Sequence, residues 1–67
     1  MNNLSDVILD AAKAHFQGEL KVNQANLKIY LSNAAGIGEH SEVVQEVVCL
    51  LKKITEAKDC LDLIGDL

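Results

Sequence analysis

The stretch "LDAAKAHFQGELKVNQANLKIYL", residues 9 to 31, decides the fold. Leu9, Phe16, Leu20, Leu27 and Leu31 recur in it at intervals of seven, four, seven and four, which keeps them on one face of a helix. The alternation of a half-buried strand does not persist anywhere along it. Gly18 interrupts the stretch, yet the apolar phase is the same on both sides. A mid-helix glycine costs only about 1 kcal/mol relative to alanine. One continuous helix is therefore expected from about residue 4 to residue 33, with Asn3 or Ser5 as its N-cap.

The same helix carries a second apolar stripe on nearly the opposite side: Leu4, Val7, Ala11, Ala14, Gly18, Val22, Ala25 and Ile29. A polar ridge of Asp6, Asp10, Lys13, Gln17, Lys21, Gln24 and Lys28 runs between the two. A helix with one neighbour needs one stripe, so two stripes imply two neighbours.

Beyond it, "NAAGIGEHS", residues 33 to 41, reads as a turn. Gly36 can take the left-handed conformation that ends a helix, Ile37 can fold back onto the core, and Gly38 can direct the chain to Ser41, the N-cap of a second helix. The Gly-x-Gly lacks the preceding strand and third glycine of a dinucleotide site, and no Gly-Lys-Ser/Thr follows for a phosphate loop. Glu39, His40 and the start of the second helix at Ser41 form the alternative, a ligand or metal site. Adjacent side chains seldom point at one ion, and the chain has no Glu-x-x-His pair of the kind that binds metal in helical bundles. His15 pairs more simply with Glu19, one helical turn on.

The second helix is expected over about residues 41 to 64, with Val43, Val44, Val47, Leu50, Leu51, Ile54, Ala57, Leu61 and Ile64 as its apolar face and Gly65 as its terminator. Gln45, Lys52, Glu56 and Asp59 fall on the solvent side. Cys49 and Cys60 are eleven residues apart, about 16 Å along a helix axis, so they cannot bridge each other. Free thiols in a reducing compartment, or contacts to another subunit, are the readings left.

The fold class that follows is all-α: a single domain spanning residues 1 to 67, folded as an antiparallel helical hairpin. At 67 residues it falls below the ~70 to 80 at which one hydrophobic core usually suffices. Dimerisation into a four-helix bundle supplies the missing burial, with the second stripe of the first helix as the interface. Net charge is -4 and arginine is absent, with seven acids against three lysines in residues 34 to 67, which argues against nucleic-acid binding. No apolar run approaches the roughly 20 residues of a membrane span, and "MNNLSDVILD" lacks the features of a secretory signal, so a cytoplasmic protein is expected. No nucleophile and base can be paired and no cofactor motif is present. The function expected is that of a protein-protein interaction or structural accessory module, not an enzyme, with a second copy and a further protein as its partners.

At "NLKIYLSNAAGIGEHSEVV", residues 26 to 44, the chain resembles short helical proteins encoded by tailed bacteriophages, in which an Asn-x-x-Gly-Ile-Gly-Glu-His stretch joins a helix to an acidic one. Ala34 and Ala35 stand where that family's proline and valine are expected. The resemblance covers under a third of the chain and implies a phage or phage-like protein acting in a bacterial or infected host cell. It carries no catalytic residue.

Overall fold

A computed structural model of the chain describes residues 3–32 and 41–67. Two α-helices account for nearly all of them: α1, Leu4–Ser32, and α2, Ser41–Asp66. They pack along their whole length in a hairpin 54 Å long and 15 by 13 Å in cross-section. The run is antiparallel: Asp6 and Leu9 share a groove with Leu61, Ile64 and Gly65, while Gly18 and Val22 lie beside Lys53 and Glu56.

The start of α1 is built as its sequence implies. The Asn3 side-chain oxygen accepts the Asp6 N–H at 2.9 Å, and its carbonyl accepts the Val7 N–H at 3.2 Å, so Asn3 and not Ser5 is the cap. Asp6 in the first turn meets the positive end of the helix dipole. Asn3→Ala is expected to cost about 1 kcal/mol of stability, read as a lower midpoint in urea at unchanged slope. At the far end the Ser32 hydroxyl donates to the Lys28 carbonyl at 2.7 Å. Asn33 lies outside the described residues.

Burial between the helices follows a seam with a mean spacing of 3.5 residues, the repeat of a left-handed coiled coil. On α1 the partly buried positions are Leu9, Ala12, Phe16, Leu20, Asn23, Leu27 and Tyr30. On α2 the seam holds Val43, Val47, Leu61 and Ile64, partly buried, and Leu50, Ile54 and Ala57, buried, with Cys60 at the edge. Four of the five residues expected on the first face are therefore in the seam. Leu31 is not: it is 61% exposed and Tyr30 takes the place instead. Adjacent residues differ by about 100° around a helix, so a strip facing one neighbour holds one of the two. The same geometry corrects Val44 and Leu51, expected on the core face of α2 but exposed, because Val43 and Leu50 occupy the seam.

Asn23 is a polar member of the seam. Its amide nitrogen donates to the Glu19 carbonyl, four residues back, at 2.8 Å, which satisfies part of the group within its own helix. Gly65 does not terminate α2 as expected: α2 runs on to Asp66, and no described glycine has a positive φ. The end tightens instead, with the Leu67 N–H donating to the Ile64 carbonyl at 3.2 Å, a 3₁₀-type contact.

The resulting core is thin. Among the described residues only Leu50, Ile54 and Ala57 are buried, all on α2. Ala57, at 1% exposure, is the most covered of them, as expected where a small side chain lets the helices approach.

Candidate interaction surface

The outer side of α1 is where the sequence placed a second neighbour, and the hairpin leaves that side open. Leu4, Val7, Ala11, Ala14, Gly18, Val22, Ala25 and Ile29 are all exposed, with Leu4 at 74% and Val22 at 60%. Most of these residues lie on the far side of α1 from the seam, while Gly18 and Val22 also border the groove shared with Lys53 and Glu56 of α2. Gly18, at the middle, has open space around it: a Cβ built there meets nothing within 4 Å.

Surface area gives the scale of what is uncovered. The chain exposes 5305 Å². A compact monomer of 7.3 kDa exposes about 4,200 Å², so the elongated chain carries an excess of roughly 1,100 Å² spread over its whole surface. Stable protein-protein contacts remove about 800 Å² from each partner.

A second apolar strip lies on α2 and is absent from the sequence reading as a separate face. Val44, Val48 and Leu51 are exposed at spacings of four and three, and Thr55 extends the series. The signal was present in the sequence as the unusual breadth of the apolar arc of α2. Leu51 and Thr55 also border an open groove with Lys52, Glu56, Asp59 and Cys60.

The polar candidates are separated from these faces. His15 Nε2 lies 3.2 Å from Glu19 Oε1, an exposed i,i+4 pair as its spacing predicts, and the His15 ring meets the Phe16 ring edge-on at 5.1 Å between centroids. Such an exposed pair contributes at most a few tenths of a kcal/mol. Cys49 is exposed and Cys60 partly buried, and both are free thiols. Among the described residues no three His, Cys, Asp or Glu side chains gather as a metal site. The turn residues Gly36, Ile37 and Gly38 and the candidate ligand pair Glu39 and His40 lie outside the described residues; of Ser41, only its place at the start of α2 is described.

No described helix is long and apolar enough to cross a membrane. No protein-family model, curated protein or solved structure matches the chain.

Proposed function

We propose that this protein is a self-associating helical module, a homodimer in which the outer face of α1 packs against a second copy to make a four-helix bundle. The observation that carries the reading is the excess surface of roughly 1,100 Å² on a hairpin in which, among the described residues, three side chains are buried. Val7 and Val22 supply apolar area on that face, and soluble monomers seldom keep a long apolar strip exposed. The module acts by association, without catalysis or cofactor. Val44, Val48 and Leu51 on α2 give the assembled bundle a separate surface for a further protein. The resemblance of residues 26 to 44 to short phage proteins extends this reading to an accessory, host-directed role in the cytoplasm of a bacterium or infected cell.

Light scattering and sedimentation equilibrium test the association. The expected result is a species of twice the 7.3 kDa chain mass at micromolar concentration. Its thermal midpoint should rise with protein concentration, since dimerisation stabilises the folded state by mass action. A monodisperse monomer at these concentrations, with a midpoint independent of concentration, overturns the proposal.

A further inference from the structure

The flank of the hairpin that carries the Val44, Val48 and Leu51 strip is also where lysines gather. Each residue turns a helix by about 100°. Lys21, Lys28 and Leu31 therefore fall on the side of α1 that holds Gln17, and the strip falls on the side of α2 toward Gly65. One groove joins these two sides, with Gln17 and Gly65 in its lining. The opposite flank is marked by Glu19, Lys53 and Glu56, which line a groove of their own.

Over residues 17 to 32 and 44 to 55 the charges divide between the flanks. Lys21, Lys28 and Lys52 border the exposed Leu31, Val44, Val48 and Leu51, whereas the only acids in these spans, Glu19 and Glu46, fall on the other side of the seam. Among the described residues the one ion pair is His15 with Glu19, so these three ammonium groups hold no carboxylate. The result is a basic, apolar patch on a chain of net charge -4. We infer that this patch docks an acidic amphipathic helix of another protein, whose apolar row seats between α1 and the α2 strip and whose carboxylates reach the lysines on either side. The inference gives the partner chemistry of the surface assigned above to a further protein, and it rests on that reading.

A helix suits the site because the strip recurs at intervals of four and three, and α1 runs beside it as the second wall of a groove. The patch is short, about 16 Å from residue 44 to residue 55, or three helical turns. Beyond it the same flank becomes acidic, with Asp6 and Asp10 on α1 and Asp62 on α2. An anionic membrane would meet those carboxylates and the net negative charge together, so a short acidic segment is the better match.

Two labelled synthetic peptides of about 18 residues, five helical turns, test the site by fluorescence anisotropy. Both carry the same leucine row; one has glutamates on either side of it, the other lysines. The glutamate peptide is expected to bind about tenfold more tightly or better at low salt, with the gap narrowing as salt rises. Lys21→Glu combined with Lys28→Glu, both exposed in the parent, should reverse the preference. Leu51→Asp should weaken binding of the glutamate peptide about tenfold while the helical signal is kept. Equal binding of the two peptides, no binding of the glutamate peptide, or a preference that survives the double charge reversal overturns the inference. Recruitment to phosphatidylglycerol vesicles without binding of the glutamate peptide overturns it in favour of a lipid surface. Light scattering of the same samples keeps self-association separate. A dimer that ignores the glutamate peptide removes the docking site alone, and a monomer that binds it removes the dimer alone. Loss of the dimer in Leu51→Asp also overturns the inference, because the strip would then be covered by a second copy.

Discussion

Ile54→Asp unfolds the protein. Ile54 is 9% exposed and sits between Leu50 and Ala57, the other two buried residues of the seam. Removing its side chain alone costs about 2–5 kcal/mol in transfer and cavity terms. The carboxylate that replaces it must shed its water to enter the apolar seam, which adds a further penalty of about 1–3 kcal/mol. A chain of 67 residues has only about 3–10 kcal/mol of stability in total. The expected result is loss of most of the helical circular-dichroism signal at 25 °C, from a parent whose helices span 29 and 26 of its 67 residues. The matched control is Leu51→Asp, three residues earlier and 49% exposed, which should stay folded. The pair tests which side of α2 faces α1. A folded Ile54→Asp beside an unfolded Leu51→Asp would mean that the seam has been assigned to the wrong strip.

Ala25→Glu is expected to separate association from folding. Ala25 is exposed on the outer side of α1, and glutamate is nearly as good a helix former as alanine, so the hairpin should tolerate the change. Packed against a second copy, the carboxylate must shed its water without a partner, and the two-fold doubles the cost because each dimer contains the change twice. A loss of about 2 kcal/mol or more per dimer corresponds to a dissociation constant weaker by about thirtyfold. Sedimentation equilibrium across a dilution series measures it, with helicity at high concentration as the control. A dissociation constant equal to the parent's would remove the outer face of α1 from the interface.

Much of the fold was legible because helices record their neighbours in spacing. The unbroken phase through Gly18 predicted one long α1, and the structure carries it from Leu4 to Ser32 without interruption. Asn3 was legible as one of two candidate caps, with Ser5, because its short side chain can accept from a free N–H of the first turn. The exposed outer face, the separation of the two cysteines and the His15–Glu19 pair were likewise set by intervals along one helix. These are local properties, fixed by the rise and turn of the backbone before any second element is considered.

The choice between adjacent apolar residues belonged to the tertiary structure. Val43 and Val44 are identical side chains, as are Leu50 and Leu51, and Tyr30 and Leu31 are both large with much apolar surface, while one helix packed against one neighbour covers only one of each pair. Pairing α1 with α2 along a 3.5-residue seam selected Val43, Leu50 and Tyr30, admitted Ala12 and Asn23, and left Val44, Leu51 and Leu31 exposed. The α2 strip of Val44, Val48 and Leu51 exists as a separate surface for the same reason: the apolar arc written into the sequence is wider than the contact one partner helix can bury.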